Sequence, residues 1–96
     1  MAAYIIVNVT IHDPEEYKEY MKLTPRSIAA YNGKFIVRGG ATEILEGAPT
    51  VGRIVVLEFP TAERAREWWN SAEYEVAKAI RQRVAHTEMI LVDGVG

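Results

Sequence analysis

Two arginines, a carboxylate set inside an apolar run and an aromatic cluster at a helix break are the residues whose types and spacing could do chemistry in this sequence. Arg38 follows the apolar run KFIV and opens RGGATEILEG, with Gly39 and Gly40 directly after it. An arginine fork holds a carboxylate by two parallel hydrogen bonds. Neighbouring glycines leave space for a ligand to approach that fork. Gly39 and Gly40 are expected to form a β-bulge or bend inside the strand, because glycine alone takes the required backbone angles cheaply. A single RGG is no RNA-binding box, which needs repetition.

Glu58 lies within IVVLEF, where a carboxylate is costly unless it is paired. Arg38 and Arg53, from the strands of the same hairpin, are its expected partners. The plain account is a structural ion pair; the sharper one is a general base whose pKa burial has raised. In WWNSAEY, Trp68, Trp69, Ser71 and Tyr74 gather at a helix interruption. Aromatic residues at helical spacing are usually core. The new helix start next to the Ser71 hydroxyl also exposes backbone N–H groups that suit an anion. Arg81 follows Tyr74 by about two turns on the same face. It is either a wall of the same pocket or a solvated cation near the helix end.

The remaining candidates are weaker. His12 and His86 are isolated and lack the spacing of a metal site, so no metal is expected. His12 ends the first strand, where pockets open in sheet-and-helix folds, and its pKa range suits acid–base work; a loop role is the plain alternative. Ser27 and Ser71 belong to no evident triad. Phosphate loops and dinucleotide fingerprints are absent, so no cofactor is expected. The chain has no cysteine, which excludes disulfides, thiolate nucleophiles and cysteine-bound metals.

The elements that must position these residues are readable from periodicity. YIIVNVTI is a β-branched first strand, and Asp13-Pro14-Glu15-Glu16 starts a helix. Tyr17, Tyr20, Met21, Ile28 and Tyr31 recur at helical spacing. Pro25 should kink or restart that helix, and Asn32-Gly33 should stop it. KFIVRGGATEILEG resumes as a strand containing the double glycine, EGAPTVG turns, and Gly52 to Phe59 forms the third strand. Thr61 and Ser71 open two helical segments, and Thr87 to Asp93 is the last strand. The order β-α-β-β-α-β is that of an α+β, ferredoxin-like fold: a four-stranded antiparallel sheet with its helices on one face. Along strand 1, Ile5, Val7, Val9 and Ile11 should meet the helices. Tyr4, Ile6, Asn8 and Thr10 then form a second face too apolar to stand open to water, so a homodimer is expected.

The blocks YIIVNVTIHDPEEYKEY, KFIVRGGATEILEG, GRIVVLEFPTAERAREWWNSAEYEVAKAIR and the closing LVDG together resemble the domain-of-unknown-function family numbered 1330, a branch of the dimeric α/β-barrel superfamily. The resemblance spans nearly the whole chain. It implies two ferredoxin-like protomers packed sheet to sheet, with no established activity. Relatives in that superfamily include small monooxygenases, haem-degrading enzymes, lactone isomerases and stress-responsive domains, so the fold narrows the chemistry little. Asn8 and Trp68 match in type and place two residues of the haem-degrading relatives. EVAKAIR carries Lys78 where their axial histidine is expected, which argues against haem degradation.

Composition sets the remaining bounds. Ninety-six residues, 49% of them hydrophobic, support a single small domain over residues 1–96. The net charge of −2, from 11 basic and 13 acidic residues spread along the chain, argues against nucleic acid as the main partner. The N-terminal apolar run is too short to span a bilayer and lacks a basic n-region, so no membrane role and a cytoplasmic location are expected. The function that follows is binding of a small anionic organic molecule between sheet and helices. Arg38, Gly39, Gly40, Asn8, Trp68, Ser71, Tyr74 and Arg81 are the candidate contacts, and Glu58 or His12 the candidate acid–base group. A cofactor-free isomerase or monooxygenase is one form of that reading. The alternative is a non-catalytic dimerisation or stress-response module.

Overall fold

The computed structural model describes residues 1–95. Its elements are β1 (Ala3–Ile11), α1 (Pro14–Ala30), β2 (Lys34–Arg38), β3 (Arg53–Phe59), α2 (Ala62–Trp69), α3 (Ala72–Val84) and β4 (Ala85–Asp93). The strands pair antiparallel in the order β2-β3-β1-β4. This is the expected α+β, ferredoxin-like arrangement, with the second helical segment divided into α2 and α3.

Local chemistry accounts for most element boundaries. The Asp13 carboxylate accepts the Glu16 N–H at 3.2 Å and so caps α1, with Pro14 at its first turn. Asn32 takes the left-handed conformation at φ 64°, and the Gly33 N–H returns to the Ile28 carbonyl, which ends the helix. Thr61 and Ser71 cap α2 and α3 by accepting the N–H groups of Arg64 and Tyr74, each at 3.1 Å. β1 alternates as expected: Ile5, Val7 and Val9 are buried beneath the helices, while Tyr4, Ile6, Asn8 and Thr10 face the other way. Around the inner face, Phe59, Trp68 and Tyr74 form a stack, with ring centres 5.6 Å and then 4.0 Å apart.

Three expectations need correction. First, α1 does not restart at Pro25 but continues through it as one helix. Proline cannot donate to the carbonyl four residues back, which is Met21. Arg38 supplies the missing donor from Nη2 at 3.2 Å, so the orphaned acceptor is satisfied from a neighbouring strand. Second, β2 ends at Arg38 instead of continuing through the glycines, and residues 39–52 are a loop. The bulge lies at Ile36: Phe35 pairs with Leu57, but Val37 pairs with Val56 and Arg38 with Val55. One extra residue reverses which side chains face the helices. It therefore turns Arg38 to the inner face, while Gly39 makes the expected bend just past the strand, at φ +72°. Third, β4 starts at Ala85, two residues before the expected Thr87.

The molecule measures 33 × 32 × 17 Å, two layers thick. Helices cover one face of the sheet. On the other, Ile6, Ile36, Val37, Ile90 and Val92 are all exposed, with Ile90 at 61%.

Candidate functional site

Between the sheet and α1 lies a cavity of about 30 Å³, lined by Tyr17, Tyr20, Met21 and Thr24 from α1, by Phe35 and Arg38 from β2, by Arg53, Val55 and Leu57 from β3, and by Val7, Trp68, Arg81 and Met89. One buried water needs roughly 10–15 Å³ on this measure, so the space suits about two waters or one small anionic group. Arg53 and Arg81 reach it from opposite layers, the sheet and α3. No aspartate or glutamate is among the lining residues. Arg81 is only 4% exposed, and among the described residues its Nη2 has no hydrogen-bond partner, nor has the buried Nε of Arg53. Neither guanidinium takes part in an ion pair among the described residues. Buried cationic donors without partners are costly, and a bound anion would relieve that cost.

The polar groups around the cavity form a chain. Arg81 Nε donates to the Tyr74 hydroxyl at 3.2 Å, and the Tyr74 and Tyr20 hydroxyls lie 2.8 Å apart. Burial, then the closeness of Tyr74, pushes the Tyr20 hydroxyl far above its usual range. Burial also raises Tyr74 and Tyr17. All three phenols stay protonated at neutral pH. Trp68 is fully buried, and its Nε1 donates to Ser27 Oγ at 3.1 Å.

The structure brings some sequence-predicted residues together and separates others. Arg38, Trp68 and Arg81 share the cavity. Arg38 is exposed at its rim, bound to the Met21 carbonyl and lying over the Phe35 ring at 4.3 Å. Tyr74 lies behind Tyr20 and is not among the lining residues. Gly39 takes φ +72° and packs against the Arg53 guanidinium, which any Cβ there would strike; a Cβ on Gly40 would meet open space. Ser71 is occupied structurally: it caps α3 and donates to the Trp68 carbonyl at 2.7 Å.

Asn8, Glu58 and His12 lie elsewhere. Strand alternation sends Asn8 to the outer face, where its amide bridges Thr50 and Gly52 and ties the 39–52 loop to β1. Glu58 falls between the inward Leu57 and Phe59, so it too points outward. Its partner is Lys34 at 3.3 Å, not Arg38 or Arg53, because Lys34 stands directly opposite on β2. His12 is an exposed residue after β1 whose N–H bonds the Val84 carbonyl. Among the described residues, no cluster of three or more His, Cys, Asp or Glu could hold a metal, and no helix is long and apolar enough to cross a membrane.

Arg53, Tyr17 and Tyr20 were not recognised as pocket residues from sequence. A signal existed for Arg53, since it shares the alternation of Val55, Leu57 and Phe59 and so had to face inward. Tyr17 and Tyr20 have the spacing of ordinary core residues, which hides their hydroxyls.

The family model described as "Domain of unknown function (DUF1330)" matches residues 2–95. No curated protein matches the chain. Among solved structures, a protein of unknown function from Rhodopseudomonas palustris superposes with a TM-score of 0.80 at 16% identity, over 99% of this chain and 83% of that one. SnoaB, a cofactor-independent oxygenase from Streptomyces nogalater, does so with a TM-score of 0.68 at 13% identity, over 99% and 94%. A dimeric protein of unknown function with a ferredoxin-like fold from Bacteroides fragilis gives 0.57 at 13% identity, over 97% and 96%. At such identities the likeness is one of fold.

Proposed function

The chain belongs to the DUF1330 family, and from that premise we propose that it is a small homodimer binding a compact organic anion, best a carboxylate, in the cavity between sheet and α1. One observation carries the reading: Arg53 and Arg81 line the same space, and among the described residues no aspartate or glutamate lines it with them. A ligand carboxylate supplies the missing acceptors and the missing charge. Arg38 stands at the rim as a third cation, while Trp68, Val55, Leu57 and Met89 form the apolar wall.

The enzymatic form of this reading is a cofactor-free isomerase or monooxygenase. The description of SnoaB, which shares the fold, supports it. Glu58 and His12 are absent from the lining, so Tyr17 and Tyr20 would serve such a reaction as hydrogen-bond donors to the substrate. A non-catalytic dimerisation or stress-response module is the second reading, favoured by the small volume of the cavity. The apolar outer face supports pairing of two sheets, and a dimeric neighbour with the fold supports the same assembly.

The test is thermal shift with short monocarboxylates and their neutral amides. A ligand at a hundred times its Kd stabilises the state it binds by about 2.7 kcal/mol. Carboxylates should raise Tm, amides should not, and Arg53→Met should abolish the difference. Glu58→Gln, on the outer face, should bind as the wild type does. If no carboxylate shifts Tm beyond the effect of equal chloride, the binding proposal fails and the module reading takes its place.

A further inference from the structure

The hydroxyl chain behind the cavity has a direction set by donor and acceptor accounting. Arg81 Nε is always a donor, so one lone pair of the Tyr74 oxygen is committed to it. Tyr74 is fully buried, and its hydroxyl has one other partner among the described residues, the Tyr20 hydroxyl. Suppose Tyr20 were the donor in that pair. Tyr74 would then accept twice, and its own O–H would be buried with nothing to receive it, which is the expensive arrangement. With Tyr74 as donor, its O–H and the lone pair facing Arg81 are both satisfied. The Tyr20 proton is then not taken up by Tyr74, and Tyr20 lines the cavity where Tyr74 does not.

We infer that Tyr20 donates a hydrogen bond to the anion held in the arginine-lined cavity, and that Tyr74 acts through Tyr20 as the positioning residue that fixes the direction of the donor chain. This rests on the anion-binding reading above and deepens it. The site then presents two kinds of donor, guanidinium and neutral phenol, with hydroxyls but no carboxylate to accept. It selects ligands whose oxygens accept from both, such as carboxylates and enolates, over ligands that must donate. Burial of Tyr20 keeps its proton in place across the neutral range, so the phenol serves as a fixed donor at ordinary pH.

The experiment is a double-mutant cycle on acetate binding, followed by NMR titration of wild type, Tyr20→Phe, Tyr74→Phe and the double variant. Each change removes one hydroxyl and keeps the ring. Tyr20→Phe should raise the acetate Kd on the order of tenfold or more, as expected for a hydrogen bond to a charged group. Tyr74→Phe should raise it several-fold in the wild-type background and have almost no effect once Tyr20 is phenylalanine. An undiminished Tyr74 effect in the Tyr20→Phe background would make Tyr74 a scaffold residue and overturn the relay. Wild-type affinity in Tyr20→Phe, with Arg53→Met still impaired, would overturn the Tyr20 assignment and leave the arginine site standing. Absence of acetate binding to the wild type would remove both.

Discussion

Gly39→Ala is the substitution for which fold and site give a single answer. Gly39 sits at φ +72°, where an L-residue pays roughly 1–2 kcal/mol for its Cβ. The new methyl would lie 2.5 Å from Arg53 Cζ and 3.1 Å from its Nε. The guanidinium must move, and it lies among cavity walls with its Nε already buried. Backbone strain plus displacement gives a loss of about 2 kcal/mol. For a domain of this size that is roughly 8–16 °C in Tm. Because Arg53 is the side chain displaced, acetate affinity should fall with stability. Gly40→Ala is the internal control: a Cβ there meets nothing within 4 Å, so the change should be neutral or stabilise by about 0.4–1 kcal/mol. Calorimetry and urea unfolding of both variants measure the difference. A Gly39→Ala protein with wild-type Tm, or a Gly40→Ala protein equally destabilised, would refute the argument that Gly39 exists to accommodate Arg53.

Two further outcomes follow from the buried phenols and the outer face. Tyr17, Tyr20 and Tyr74 have hydroxyl pKa values raised by burial above the usual 10.0. Their contribution to stability is fully present below the unfolded value of about 10 and is lost as pH rises towards the folded values. The urea midpoint should therefore stay level to about pH 9 and fall above pH 10, less steeply in Tyr20→Phe; a level midpoint at about pH 11 contradicts this. Ile90 stands at 61% exposure beside Ile6 on the outer face. Light scattering should give twice the 10.8 kDa chain mass for the wild type and the single mass for Ile90→Lys, whereas a wild-type monomer at micromolar concentration rules out the dimer.

By itself, the sequence determined the parts that depend on neighbours within a few residues. Asp13, Thr61 and Ser71 announce helix starts because a short polar side chain reaches N–H groups three residues on. Alternation in β1 divides Ile5, Val7 and Val9 from Ile6 and Asn8, so the buried face and the apolar outer face were both readable. The order of the elements was enough for the ferredoxin-like topology. The site was decided elsewhere. A one-residue bulge at Ile36 turns Arg38 inward, and the position of a bulge depends on pairing with β3, which leaves no local mark. Pro25 signalled a break, but Arg38 supplies the donor that the Met21 carbonyl lacks, from a strand distant in sequence. Glu58 looked like a buried carboxylate between apolar neighbours; alternation put it outside, and cross-strand register paired it with Lys34. The Arg81–Tyr74–Tyr20 chain joins α3 to α1 across 54 residues. Periodicity identifies which side of an element is buried, whereas only the packed fold determines which buried polar atoms meet and which, like Arg53 Nε and Arg81 Nη2, are left without a partner among the described residues.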